Sequence, residues 1–295
     1  MKNLYQFNHG NELIELTKKY NLPISKVVLL FENEMTGKDK ESIFNDMIKI
    51  LEIMKRSVEK GLKDDVKSVS GLIGGDAKKL YDKIINNFTI SGETVSKAVA
   101  SAIAVSEVNA SMGKIVAAPT AGSSGVIPGA LITIGKKFGK SDEELAYALF
   151  TASGIGIIIA KNASLSGAES GCQAEVGSAS AMAAAGLVEL MGGTPEEAFN
   201  AASFAIMNLL GLVCDPVAGL VEIPCMTRNA IGTANALICA DMALSGIKSF
   251  IPFDEVVDAM GKVGRMIPCA LKETAEGGLA KTLTGIKFKN EFFKK

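Results

Sequence analysis

The sequence predicts an all-α fold, a compact helical bundle built around a largely apolar, Ala- and Gly-rich central region. Three observations predict it. Apolar residues in the N-terminal third recur at three- and four-residue steps, the spacing of one helix face. Capping-box signatures announce helix starts further along. No sustained apolar/polar alternation marks a strand. The composition agrees, with 30 glycines, four tyrosines and no tryptophan in 295 residues, as closely packed helices require and a β-sandwich does not.

The chain opens Met1-Lys-Asn-Leu-Tyr-Gln-Phe-Asn-His-Gly10. That stretch has no apolar signal-peptide core, so export is not expected. Ile43, Phe44, Met47, Leu51, Met54 and Val58 share a helix face, with Lys and Glu opposite. Gly71, Gly74 and Gly75 break the pattern, and Asp76 is expected to cap the helix that follows. Composition changes near Ser91-Gly92. From there to about Ile251 charges are few, and helices apolar nearly all round belong inside a bundle. Ser141-Asp-Glu-Glu144 and Thr194-Pro-Glu-Glu197 read as capping boxes, the second with proline at the first helical position. Pro252 and Pro268 punctuate the C-terminal helices, and the basic tail from Lys287 to Lys295 is expected to fray. The length suits one large domain or two small ones. The chain reads as a charged N-terminal helical region (residues 1–64) and a helical domain carrying the chemistry (65–295), with one continuous domain as the alternative.

Charge and hydropathy narrow the function. A net charge of −1 and a pI near 6.0 offer no basic face to track phosphates, so nucleic acid is not an expected partner. Hydrophobic content of 48% and a mean hydropathy of +0.27 raise the question of a membrane. The longest uncharged runs, Leu145 to Ala160 and Ala198 to Cys214, fall short of the ~20 residues of a span. They also carry Thr151, Ser153, Asn200, Ser203 and Asn208. Buried helices account for them better, and no membrane is expected, although a non-enzymatic membrane helical bundle stands as the distant rival.

The five cysteines are Cys172, Cys214, Cys225, Cys239 and Cys269. An odd number without an export signal argues against a disulfide framework and for a reducing cytoplasm and metal ligation. His9 is the only histidine, so no Ser–His–Asp triad, Cys–His pair or His-rich metal site can form centrally. At the terminus His9 reads as a solvated residue. Cys172, Cys214 and Cys225 sit in Ser170-Gly-Cys-Gln-Ala-Glu-Val-Gly177, Val213-Cys-Asp-Pro-Val217 and Ile223-Pro-Cys-Met226, where helices are expected to begin or end. Their Gly, Asp-Pro and Pro neighbours free backbone N–H groups for hydrogen bonds to sulfur. Spacings of 42 and 11 residues match no compact ferredoxin pattern. The residues alone therefore leave an iron–sulfur cluster, a zinc site and a buried trio open. Cys239 reads as core and Cys269 as structural.

Other candidates surround them. Ala118-Pro-Thr-Ala-Gly-Ser-Ser-Gly125 precedes an apolar helix, so small residues and helix-terminal amides could receive a carboxylate; a tight interhelical turn explains it equally. It is no P-loop, because no Lys-Ser/Thr follows at the required spacing. Lys161 ends a buried helix and could act as a base, with a cap on that helix's last carbonyls as the competing role. Glu169, Glu175 and Asp215 lie near the cysteines and suit proton transfer or N-capping. Arg228 and Asn229 could orient a carboxylate or the metal centre.

Asn162-Ala-Ser-Leu-Ser-Gly-Ala-Glu-Ser-Gly-Cys-Gln-Ala-Glu-Val-Gly177, Cys214-Asp-Pro-Val-Ala-Gly-Leu-Val-Glu-Ile-Pro-Cys225 and Arg228-Asn229 together resemble the α subunit of iron–sulfur-dependent L-serine dehydratase. The likeness extends to Ala118–Pro128 and Ser70-Gly-Leu-Ile-Gly-Gly-Asp76, roughly residues 65 to 280. It implies a 4Fe–4S cluster on Cys172, Cys214 and Cys225, whose open iron acts as a Lewis acid on the hydroxyl of L-serine. It also implies substrate binding by Pro119, Thr120, Ala121, Gly122, Ser123, Ser124, Gly125, Arg228 and Asn229. Lys161, Glu169, Glu175 and Asp215 are then the catalytic candidates. A β subunit as partner in a cytoplasmic hetero-oligomer follows from the same likeness, as does a role in amino-acid degradation. A desulfidase for L-cysteine is the near alternative. Some fused relatives of that family carry a cysteine near the C-terminus, where this sequence reads Phe292-Phe293-Lys294-Lys295. A fourth-iron ligand would fall to Cys269, a small molecule or substrate.

Overall fold

The computed structural model describes residues 4–86 and 88–294. Thirteen α-helices form among them, and no strand. Among the described residues the one strand-like pairing is an isolated parallel bridge between Cys214 and Lys272.

The charged N-terminal third forms α1 (Gly10–Tyr20), α2 (Ile24–Thr36) and α3 (Lys40–Lys63). On α3 the expected face is the inward one, with Ile43, Leu51, Met54 and Val58 buried and Phe44 and Met47 half-buried. Asp39 caps it by accepting from the Ser42 amide at 2.9 Å. A glycine-rich loop then leads to α4 (Asp76–Ile85). Asp76 is not the cap of this helix. It is already the first helical residue, behind Gly75, and the buried Glu107 accepts from its amide at 2.6 Å. A carboxylate arriving from another helix has taken the place of the local one.

Two helices organise the core. α5 (Gly92–Ala110) packs against α3, α4, α6 (Val126–Lys137) and α11 (Cys225–Leu244). α9 (Ser178–Leu190) packs against α7 (Asp142–Asn162), α10 (Pro195–Leu209), α6 and α11. α6 and α11 therefore bridge the two halves. α9 reads Ser-Ala-Ser-Ala-Met-Ala-Ala-Ala-Gly and is buried on nearly every side, because side chains this small let helices approach from all round. Capping boxes start α7 and α10 as expected, with Ser141 accepting from Glu144 N at 3.2 Å and Thr194 from Glu197 N at 3.3 Å. At 21 residues α7 is long and apolar enough to cross a membrane, yet 67% of its apolar stretch is buried in the protein. It lies against α2 and α9.

The remaining elements gather at one end. α8 (Gly167–Ser170) is a single turn, joined to α9 by a π-helical turn over Gln173–Gly177. α12 (Phe253–Met266) starts behind Pro252, and a strap of two 3₁₀ turns, Cys269–Leu271 and Gly278–Lys281, returns the chain to the loop that carries Cys214. The basic tail is helical rather than frayed: α13 (Leu283–Phe292) is capped by Thr282, which accepts from Gly285 N at 3.1 Å. Lys295 lies outside the described residues.

Candidate active site

Each of the three cysteines sits at a break in the helical ladder. Cys172 opens the π-helical turn, Cys214 lies between α10 and α11, and Cys225 is the first residue of α11. All three are buried and none is in a disulfide. Cys214 is held through its backbone: its amide donates to Leu271 O at 2.8 Å and its carbonyl accepts from Glu273 N at 2.7 Å. The Cys172 thiol is pulled below the usual thiol range by the hydrogen bond it accepts from Cys214, with the Arg228 charge adding to it. Cys214, the donor, is pushed up, first by that bond and then by burial. Cys225 is pushed up to about 12 by burial and then by the nearby Cys172. The topology thus brings together three sulfurs that lie up to 53 residues apart in sequence.

Arg228, one turn into α11, bonds to the first of them. Its Nη1 donates to Cys172 Sγ at 3.3 Å and to Val213 O at 2.7 Å, and its Nη2 donates to Asp215 Oδ1 at 2.7 Å. The Arg228–Asp215 pair is almost fully enclosed, with side chains 12% and 5% exposed. A buried pair of this kind is satisfied only when its remaining polar atoms also find partners. Here Asp215 Oδ2 accepts from Leu279 N at 2.7 Å, which pins the C-terminal strap beside the cysteines. The approach is so close that a Cβ on Gly278, at φ +56°, would lie 2.2 Å from that oxygen. Asp215 is therefore an ion-pair partner rather than a helix cap.

Asn229 secures the Pro119–Gly125 loop. Its Oδ1 accepts from Gly125 N at 2.9 Å, and its Nδ2 donates to Gly122 O at 2.7 Å and Cys225 O at 2.8 Å. One buried amide thus ties that loop to the helix whose first residue is Cys225. Within the loop the Thr120 and Ser123 hydroxyls face each other at 3.1 Å, and Ser124 Oγ donates to Ala121 O at 2.8 Å. Ala121–Ser123 form a 3₁₀ turn ahead of α6.

Glu175, in the π-helical turn, faces the same loop. It accepts from Gly167 N at 3.1 Å and from the Thr120 side chain. Burial first, then Glu273, pushes its carboxyl above the usual carboxylate range. Glu175 and Thr120 line an open cleft of about 350 Å³ with Ser164, Ser166 and Glu169. Glu169 is exposed and accepts from Ser164 Oγ at 2.6 Å. Lys161 is not brought to this centre. Its exposed amino group donates to Phe7 O at 2.7 Å and Asn8 Oδ1 at 3.1 Å, tying α7 to the N-terminal segment. His9 is exposed at the start of α1. Cys239 is buried beside Asn208 and Asn235, and Cys269 is exposed on the strap.

Ser70 and Glu222 lie within motifs of the family likeness but carried no role there, and nothing in the residue patterns pointed to Glu273 or Leu279, which also adjoin this centre. The only local sign was Gly277-Gly278, a pair that marks a tight turn without saying what it packs against.

The donor set fits an iron–sulfur cluster. It is all sulfur, it is buried, and an arginine N–H already points at one of the sulfurs, the kind of outer contact that tunes such clusters. A Cβ on Gly167 would lie 2.8 Å from Glu175 Oε1 and 3.1 Å from Cys214 Sγ, so only a bare backbone passes there. Among the described residues no three His, Cys, Asp or Glu side chains are placed to grip a single metal ion.

The sequence model of the family described as serine dehydratase alpha chain matches residues 19–280. A Bacillus subtilis protein named probable L-serine dehydratase, alpha chain, is 52% identical over 287 residues, covering 97% of this chain and 95% of its own. The L-serine dehydratase alpha chain of Peptoniphilus asaccharolyticus is 47% identical over 287 residues, 97% of this chain and 98% of its own. A longer protein of Streptomyces coelicolor named L-serine dehydratase is 38% identical over 284 residues, 94% of this chain but 61% of its own.

Proposed function

The chain belongs to the serine dehydratase alpha-chain family, and on that premise we propose that it is the catalytic chain of an L-serine dehydratase, a lyase that converts L-serine to pyruvate and ammonia. The observation that carries the reading is the meeting of three buried thiols, Cys172, Cys214 and Cys225, with Arg228 bonded to the first. These three would hold a 4Fe–4S cluster. When bound, such a cluster supplies a Lewis-acidic iron without a protein thiolate, suited to polarising the hydroxyl that leaves.

The reaction removes the α-proton and the β-hydroxyl of L-serine; the aminoacrylate that remains tautomerises to an imine and hydrolyses. In this chain the substrate enters by the cleft beside Thr120 and Glu175. The Pro119–Gly125 loop, with its hydroxyls and small residues, receives the carboxylate, and Asn229 fixes the loop's height above Cys225. Arg228 does not reach for substrate. With one nitrogen on Cys172 and another on Asp215, it orients a cluster thiolate. Of the four acid–base candidates, Glu175 is the one that is buried, lines the cleft and adjoins the loop. A carboxyl raised towards the working pH is suited to take a proton from Cα and return it. Asp215 is committed to Arg228, Lys161 to the N-terminal segment, and Glu169 sits exposed at the rim. The alpha-chain names of the relatives support a second, beta chain beside this one.

The test is anaerobic purification of the complex with iron, sulfide and pyruvate assays. Cys172→Ser is expected to lose both the cluster and pyruvate formation, and Cys239→Ala to keep both. A Cys172→Ser enzyme with normal iron content would overturn the ligand assignment.

A further inference from the structure

The glycine-rich segment Ser70–Asp76 is the one motif that the proposed site does not use. It packs between the cysteine loops and α5, held at each end by a buried carboxylate. At its far end Glu107, fully buried on α5, accepts from Asp76 N at 2.6 Å. At its near end Ser70 Oγ donates to Glu222 Oε2 at 2.7 Å, across 152 residues of sequence. Glu222 is only 5% exposed and stands three residues before Cys225.

The backbone around Glu222 explains why that bond reaches the cysteine. Glu222 N donates to Leu220 O at 2.8 Å, Val217 N donates to Ile223 O at 2.9 Å, and Met226 N donates to Glu222 O at 2.9 Å. The last bond ties the Glu222 carbonyl to the second residue of α11, whose opening residue is Cys225. On the other side Ser70 is fixed in turn, because Leu72 N donates to its Oγ at 3.0 Å and Val69 N donates to Ala110 O at 3.1 Å. A buried carboxylate is costly unless its oxygens are bonded, so Glu222 is pinned wherever Ser70 is pinned.

We propose that Ser70 and Glu222 are a positioning pair which sets Cys225 in the cluster site by anchoring the start of α11 to the glycine-rich loop. This rests on the reading of Cys225 as a cluster ligand. The pair touches neither substrate nor the reacting atoms. Its effect is to hold the third sulfur at the separation the other two require. The role depends on the hydrogen bond and not on charge, so Glu222→Gln, which keeps an acceptor for the serine hydroxyl, is expected to behave as wild type. Ser70→Thr, which keeps the donor, is the matching conservative change.

The experiment reads the thiols directly and separately from turnover. Metal-free chain is alkylated with iodoacetamide under anaerobic conditions and the rate at each cysteine is followed by mass spectrometry. Iron loss from the reconstituted holoenzyme is followed in parallel by visible absorbance. Ser70→Ala and Glu222→Ala are expected to change the Cys225 alkylation rate by about tenfold, leave Cys172 near its wild-type rate, and speed iron loss by a similar factor. Ser70→Thr and Glu222→Gln should restore both, and Glu107→Gln at the loop's other end should leave Cys225 unchanged. Wild-type Cys225 alkylation in both alanine variants would overturn the pairing. So would a Glu222→Gln enzyme with normal iron but no turnover, since that would make Glu222 a proton carrier. If instead wild-type chain takes up no cluster while the alkylation pattern appears as described, the ligand assignment fails and the positioning stands.

Discussion

Arg228 and Glu107 each solve the same problem at the level of a single residue, a charge enclosed in protein. Arg228 has partners on both outer nitrogens and is stable in place. Glu107 is less well served. One oxygen takes the α4 amides, while Oε2 is buried without a partner among the described residues. Burial, the largest cause, raises its carboxyl above the usual carboxylate range. The folded chain therefore binds that proton more tightly than the unfolded chain. The stability gained is fully present below the unfolded pKa and is lost as the pH rises through the folded value. Glu107→Gln removes the titration and keeps an acceptor. Urea midpoints measured from pH 4 upward are expected to fall more steeply in wild type than in Glu107→Gln across that window. Parallel curves would show that Glu107 does not titrate in the folded chain there.

Among the elements, α5 does more than fill the core. Its last turns hold two functional loops from one rigid support: Glu107 takes the start of α4, and Asn109 Nδ2 donates to Ala121 O at 3.4 Å. The third attachment is a close approach. A Cβ on Gly125 would lie 2.3 Å from Ala102 O and 3.0 Å from Asn229 Oδ1, and the backbone oxygen cannot swing aside. Gly125→Ala is expected to push α6 off α5 and loosen the loop from Asn229. Overpacking of this kind typically costs about 1–3 kcal/mol. A lower urea midpoint together with a raised KM for L-serine checks it, and a wild-type midpoint would refute it. Helix starts such as those of α7 and α10 were legible in the sequence because a capping box is local chemistry. So was the inward face of α3. The cap of α4 was misassigned to Asp76, because the true acceptor, Glu107, is 31 residues away. The strap over Cys214 was invisible for the same reason: its register depends on a backbone pairing with Lys272 and on Asp215 reaching Leu279. Within the candidate site, the three cysteines and Asn229 could be picked out from their flanking motifs. That Lys161 faces the N-terminal segment could not, since only the packing of α7 decides which way its end points.

At the scale of the whole molecule, the centre is well supported from behind and open in front. The cysteines rest on α9, α11 and the strap, whereas the cleft beside Thr120 and Glu175 is wide and rimmed by exposed Glu169. Elimination from a serine bound there calls for water to be excluded and for a well-placed base, and the only histidine sits at the start of α1. Glu175 is the one buried carboxylate that lines the cleft and is free of an ion pair. A second chain closing the front of the cleft would supply what is lacking, and the longer Streptomyces relative carries additional sequence beyond the region matched here. The chain purified alone under anaerobic conditions is therefore expected to take up iron and sulfide yet turn over L-serine poorly. Adding the beta chain, by closing the cleft over Glu175, should raise kcat/KM by at least about 10²-fold, the size of an acid–base contribution that becomes effective once its group is positioned and water is excluded. Glu175→Gln, assayed in the complex, separates the sources of that gain. If Glu175 is the base, the variant keeps its cluster and loses kcat while KM holds; if the base comes from the beta chain, kcat falls only slightly. Full activity from the isolated chain would show that the cleft is complete without a partner.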